Sequence, residues 1–253
     1  MSTLLQLISD RDYPSEQAKT LRQQIHEHIL TQSPYIDNRN FTKFHSADLQ
    51  DLYVQYDKRF FDNQLSLTLG NKPLTFSISK RLTKTAGKMT HRKWATADGE
   101  KEIFDITLSA PLLFQSFADV DRPVDVNGVL CQDRLQAMQL VFEHELIHLI
   151  EVLLWHKSSC KQYRFQDLAR RFFKHTKFTH GLVTQSERSL HKFDIMVGDS
   201  VEFTFEGVTY RGIVNRITKR ATILVESAEG EPYSNGKRYK KFYVPLEMLK
   251  KPE

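Results

Sequence analysis

The chain has 253 residues, 40% of them hydrophobic and 26% charged, with a formal net charge of +5. That composition can bury a full core and leaves room for two domains. Two cysteines exclude a disulfide framework, no apolar run is long enough to span a bilayer, and the N-terminal stretch Met1 to Asp10 lacks the basic region of a secretory signal; a soluble, cytoplasmic protein is expected.

Residues 1–45 carry two helical patterns, the second opening at Pro14-Ser15-Glu16 and placing Ala18, Leu21, Ile25 and Ile29 at helical spacing. His26 and His28 lie there among Gln and Glu, which predicts a solvated face. Ser46 to Leu49 reads as a helix start with Ser46 as N-cap and Asp48 in the first turn. That helix continues through Leu52, Tyr53, Tyr56 and Phe60 and stops at Asp62-Asn63. Leu74 to Ser79 alternates as a strand.

Between Lys80 and Lys93 stand six basic residues and no acid. Lys80, Arg81, Lys84 and Lys88 either guard a solvated sheet edge or face phosphates. Glu102 to Ser109 alternates as a further strand and leads into a short helix near Pro111.

From Gln132 to Trp155 no Pro or Gly interrupts a run containing Leu135, Met138, Val141, Phe142, Leu146, Ile147, Leu149, Ile150, Leu153 and Leu154. This predicts one long helix, apolar on most of its circumference and so buried. Inside it stands His144-Glu145-Leu146-Ile147-His148. At 3.6 residues per turn the two histidines fall about 40° apart on one face, so both imidazoles can converge on a single ion. Glu145 lies about 100° around from His144, placed to reach a water instead of a metal. Zn²⁺ brings the pKa of such a water to about 7, and a neighbouring Glu can take its proton. The polar residues Glu143, His144, Glu145 and His148 would each cost several kcal/mol if buried unpaired, which favours a metal site over a chance motif.

Trp155 to Lys161 reads as a loop and Arg164 to Phe173 as a helix facing Phe165, Leu168, Ala169 and Phe172 inward. A polar connector over 183–192 is a plausible boundary. Beyond it, Val201 to Phe205, Tyr210 to Ile217, Ala221 to Glu226 and Lys241 to Pro245 alternate as short strands, with turns at Glu206-Gly207, Thr218 to Ala221 and Ala228 to Gly230. About five strands over 194–250 suggest a small SH3-like barrel. Its cations Arg211, Arg216, Lys219, Arg220, Lys237, Arg238, Lys240 and Lys241 are interleaved with Tyr210, Tyr233, Tyr239, Phe242 and Tyr243. Cationic and aromatic side chains together suit single-stranded or distorted nucleic acid, although Glu226, Glu229 and Glu231 offset much of that charge.

Tyr56 to Leu65, Phe76 to Lys88 with its Ser79-Lys-Arg-Leu-Thr and Ala86-Gly87 pieces, Ile106 to Ser109, and His144 to His148 follow one another as in SprT-like domains. The chain resembles this group of Spartan-like zinc metallopeptidases, which includes enzymes that degrade proteins crosslinked to DNA, over residues 46–181. The resemblance implies an α+β architecture: a helical extension at 1–45, a zincin-like metallopeptidase domain at 46–182, and the barrel appended at 194–250. It also implies one Zn²⁺ held by His144 and His148, Glu145 as general base, protein substrates, and DNA, single-stranded or damaged, as partner, with nucleoid association and no membrane. The nucleic-acid contacts would come from Lys80, Arg81, Lys84, Lys88, Arg216, Lys219, Arg220, Lys237 and Arg238.

The group's third ligand is a histidine four places before a phenylalanine. Counting back from Phe165 lands on Lys161, which is no zinc ligand. Cys160, one place earlier, can bind as a thiolate; His156, Glu151 and His175 are its rivals, with Glu151 better placed as an outer partner of His148. The missing histidine leaves open a nucleic-acid-binding adaptor with a structural or inactive zinc, and a hydrolase of non-peptide substrates.

Overall fold

A computed structural model describes residues 3–96 and 99–252 and gives a mixed α+β chain in two compact units, Met1–Leu182 and Val183–Glu253. In the first unit the order is α1 (Leu4–Asp10), α2 (Ser15–Gln32), α3 (Ser46–Phe60), α4 (Gln64–Leu69), β1 (Leu74–Ser79), β2 (Gly87–Thr96), β3 (Gly99–Ser109), α5 (Ala110–Gln115), β4 (Val124–Val126), β5 (Val129–Cys131), α6 (Arg134–Trp155) and α7 (Tyr163–Phe173). The helices before residue 46 are integral to this unit: Leu4, Leu7, Ile8, Ile25 and Ile29 enter the same core as Leu146 and Ile147 of α6.

The three-stranded sheet has the order β1-β3-β2, with β1 parallel and β2 antiparallel to β3. The basic stretch after Ser79 is therefore a crossing segment that carries the chain from one edge to the other, and β2 becomes an edge strand beside α6. Helix α6 is buried on nearly all sides, as its unbroken apolar run requires. Asp133 caps it, accepting from the Gln136 N–H, and the left-handed His156 (φ 55°) ends it.

Local expectations fail in three places here. His26 is not solvated: it is 2% exposed and its Nε2 lies 3.2 Å from the carboxylate of Asp133. His28 is half-buried against Asp51 at 3.0 Å. The N-cap of α3 is His45 and not Ser46; its ring accepts from Ala47, while Asp48 returns to the His45 N–H.

The second unit holds α8 (Gln185–Phe193), β6 (Ser200–Phe205), β7 (Val208–Ile217), β8 (Ala221–Pro232) and β9 (Arg238–Val244), then a 3-10 helix at Leu246–Met248. The polar connector expected over 183–192 is largely this α8, capped by Thr184. The four strands form an antiparallel meander in sequence order, one fewer than the five expected. After the 3-10 helix, Lys250 returns to β6 through reciprocal backbone bonds with Glu202 at 2.8 and 3.0 Å. Ala228 to Gly230 is no turn: it bulges within β8, whose register shifts between Glu226 and Glu231 opposite Tyr239. Gly230 is required there, because a Cβ would stand 2.3 Å from the Tyr239 carbonyl carbon. No helix among the described residues is long and apolar enough to cross a membrane.

Candidate metal centre

The two histidines of α6 sit one turn apart with their Nε2 atoms 3.1 Å from each other. Both rings pack on Phe165 of α7, at 4.8 and 4.5 Å between centroids, which fixes their tilt from behind. Burial holds His144 down to about 3, helped by the neighbouring imidazoles of His148, His175 and His180. Burial likewise lowers His148 to about 4, with Glu151 pulling the other way. Both rings are thus neutral in ordinary buffers, each with a lone pair to give.

A hydrogen-bond chain selects which nitrogen of His148 carries it. Glu151 is fully buried and accepts from the Ser158 hydroxyl at 2.6 Å, the Ser159 N–H at 3.2 Å and Arg164 Nε at 2.7 Å. With its one proton given to Glu151, the Ser158 oxygen accepts from His148 Nδ1 at 2.6 Å. The lone pair of His148 therefore sits on Nε2, facing His144.

Cys160 completes the group. Its sulfur and one nitrogen of each histidine all lie within 4.8 Å of one another. Donors bound to one zinc at about 2.0–2.3 Å each must stand within a few ångströms of each other, so an N, N, S set with its nitrogens 3.1 Å apart fits that ion. The structure does not bring the other candidates to this point. Glu151 is spent on Ser158 and Arg164, His175 is buried against Glu143 at 2.8 Å, and His156 is the exposed residue that ends the helix.

Glu145 occupies a different azimuth of α6, beside the edge strand. It is 4% exposed, and burial raises its carboxyl to about 8 against a single opposing bond from the Met89 N–H. The approach depends on Gly87, where a Cβ would fall 2.6 Å from Glu145 Oε1 and 2.9 Å from Val141. The Ala86-Gly87 piece of the sequence is thus the place where a strand and a helix meet without a side chain between them.

These residues floor a cleft of about 820 Å³. One wall is Lys84 to Met89 with His91; the other is Val126-Asn127, Phe178 to His180 and the loop from His156 to Cys160. The far wall is a strap that bridges Val126 to His180 and bonds Gly181 N–H to Asp125 at 2.6 Å. His180 Nε2 donates across to the Lys84 carbonyl at 3.3 Å.

Of the residues expected to meet nucleic acid, Lys84 and Lys88 line this cleft, while Lys80 and Arg81 are exposed outside its lining. In the second unit Arg216, Lys219 and Arg220 cluster at the start of β8, and Lys237 and Arg238 at its far end. Because β8 bulges, the paired length of β9 from Arg238 to Val244 sets the separation, about 20 Å at about 3.3 Å per residue, so the two groups form no single patch. Lys237, Lys240 and Lys241 pair with Glu226, Glu229 and Glu231 at 2.5–2.7 Å.

Sequence reasoning missed Ser158, Gly87's contact with Glu145, and His180 as a cleft residue. A lone serine in a loop carries no spacing signal, and the other two depend on which strand ends up beside α6. Two expected outcomes follow from this geometry. Ser158→Ala lowers zinc affinity by about 10- to 100-fold, read by chelator competition, because His148 loses the partner that fixes its tautomer. Gly87→Ala displaces Glu145 and leaves metal uptake unchanged, because the added Cβ meets Glu145 and Val141 and not the three donors.

Compared with known proteins, the chain matches no family model, no curated protein and no solved structure.

Proposed function

We propose that the chain is a zinc-dependent endopeptidase of the SprT-like kind, with a zincin-like first unit and an SH3-like second unit that brings it to DNA-associated or DNA-crosslinked protein. The observation that carries this reading is the meeting of His144, His148 and Cys160 at one point, with Glu145 buried beside an edge strand of the same cleft. Three donors opening on a cleft support a catalytic ion over a closed structural one, which takes four protein ligands. That same count weighs against the adaptor reading.

His144, His148 and Cys160 would hold the ion. Zinc there supplies Lewis-acid activation of a water and of the scissile carbonyl. Glu145 takes the proton of the attacking water and returns it to the leaving amine, a role supported by its place in the same cleft as the three donors. Met89 N–H and the space left at Gly87 hold that carboxylate in place. The edge strand β2 pairs the substrate backbone. The unpaired cations Arg216, Lys219 and Arg220 on the second unit, among the described residues, supply phosphate contacts.

The test is elemental analysis for zinc together with cleavage of casein and of a DNA-bound protein, with and without single-stranded DNA, in wild type and Glu145→Gln. Near-stoichiometric zinc in both proteins, with DNA-stimulated cleavage in wild type alone, is expected. Wild-type protein that takes up no zinc would sink the proposal, and zinc uptake without cleavage of any protein would return it to the adaptor.

A further inference from the structure

We infer that the cleft is built for an extended acidic stretch of polypeptide, with carboxylates flanking the bond that is cut; this rests on the peptidase reading and names its substrate class. Three cations line the cleft, Lys84 and Lys88 on the edge-strand side and Lys157 on the opposite loop. All three are exposed, and none forms an ion pair among the described residues. The lining contains a single acid, Glu145, buried at its floor. Elsewhere in the first unit some surface cations are matched, as Arg170 and Arg171 are by Asp167 and Lys72 by Glu102, while others such as Lys43, Lys58 and Lys101 form no ion pair among the described residues. Three exposed lysines against one buried carboxyl leave the lining net positive, and such a lining focuses a field that draws in anions.

The edge strand identifies the anion as a peptide. Ala86 turns its carbonyl inward to Ser109 N–H at 2.8 Å, while the Met89 N–H points outward to Glu145. By the alternation of an antiparallel pair, Gly87, Met89 and His91 direct backbone groups away from the sheet. With the Met89 N–H kept by Glu145, the remaining outward groups of Gly87, Met89 and His91 pair with another extended polypeptide. A nucleic acid has no matching row, and it would want several stacking faces, whereas Phe178 is the one exposed Phe, Tyr or Trp ring among the described lining residues.

Exposed lysine–carboxylate pairs contribute modestly each and weaken with salt, so three together give a preference of about tenfold in kcat/KM at low ionic strength. The experiment uses the full zinc-loaded chain and three quenched peptides of one length, with Asp and Glu, Asn and Gln, or Lys flanking the central bond. Wild type is expected to cut the acidic peptide about tenfold faster than the neutral one, to lose that preference when salt is raised about tenfold, and to invert it in the Lys84→Glu/Lys88→Glu variant. Equal rates on the three peptides, or a preference for the Lys peptide, would overturn the inference. So would competitive inhibition by a single-stranded oligonucleotide that disappears in the double variant, since the lysines would then serve nucleic acid. Should no peptide be cut, the peptidase reading fails by itself. Anisotropy of labelled acidic and neutral peptides on Glu145→Gln protein then decides the charge question, tighter binding of the acidic one upholding it and equal binding ending it.

Discussion

Replacing Cys160 with Ala lowers zinc affinity by about 100- to 1,000-fold. Structural zinc sites with four ligands bind with about 10–16 kcal/mol, so one ligand accounts for roughly 3–4 kcal/mol. The remaining pair, His144 and His148, still chelates from one helix turn, with Nε2 atoms 3.1 Å apart, and weak binding persists. Cys160→His restores a nitrogen donor at the same place and recovers part of the loss. Chelator competition measures the affinities. Cobalt substitution gives an independent readout, since a thiolate ligand adds an intense near-ultraviolet charge-transfer band that a two-histidine site lacks. Unchanged affinity and an unchanged cobalt spectrum in Cys160→Ala would remove Cys160 from the site and return the third position to an outside ligand.

The parts of this site that the sequence announces are those carried by local periodicity. Helix α6 is legible because 22 residues run without a breaker, and the spacing of His144 and His148 does the rest. Cys160 comes within reach because counting back from Phe165, in the first turn of α7, lands on its neighbour Lys161. What stays hidden depends on partners far along the chain. His26 looks solvated among its neighbours, yet its carboxylate partner Asp133 lies 107 residues away. The hairpin β4–β5 is built from strands of three residues each, too short to show alternation, although it positions the strap that walls the cleft. Helix α8 reads as a linker because Ser189 is its one fully buried residue. In the second unit the strands are legible from alternation, but the bulge at Ala228 to Gly230 is not, because a glycine between strands signals a turn and a bulge equally well. Mixed α+β architecture was therefore within reach of the sequence, while the side chains that orient the donors were not.

The second large effect lies on the opposite face of α6, where Arg22→Met is expected to cost about 3–5 kcal/mol of folding stability. Glu143 there is fully buried. Its carboxylate receives Arg22 Nε at 2.7 Å and Nη2 at 2.9 Å, Tyr56 Oη at 2.7 Å and His175 Nε2 at 2.8 Å. Arg22 also donates to the Phe173 carbonyl at 2.8 Å. The cluster thus ties α2, α3 and the segment after α7 to the residue next to His144. Burial alone would push Glu143 upward, but Arg22 and His175 bring it below the usual carboxylate range. Without Arg22 the structure keeps a buried charge with too few donors. For a domain of this size the loss is worth about 10 °C in Tm, and Arg22→Met/Glu143→Met recovers much of it by removing both charges. A loss under about 1 kcal/mol would show that water reaches the carboxylate and that the cluster is not closed.

The same cluster fixes a sign for pH. His175 is lowered from 6.5, chiefly by burial, and its Nδ1 has no partner, as a neutral ring donating from Nε2 requires. Between its folded and unfolded values the unfolded chain holds more protons, so stability rises with pH there. Its contribution is therefore complete above about pH 6.5 and is lost as the pH falls. Glu143, also lowered, adds a second loss on the acid side of about pH 4.5. His144 and His148 contribute acid losses of the same sign, so the informative quantity is the difference between wild type and Arg22→Met. Removing the guanidinium lets the Glu143 carboxyl rise, and the acid unfolding midpoint moves to higher pH in the variant. Urea midpoints from about pH 4 to 8 measure both curves; parallel curves with a constant offset would mean that Arg22 acts through packing alone and leaves the protonation of Glu143 untouched.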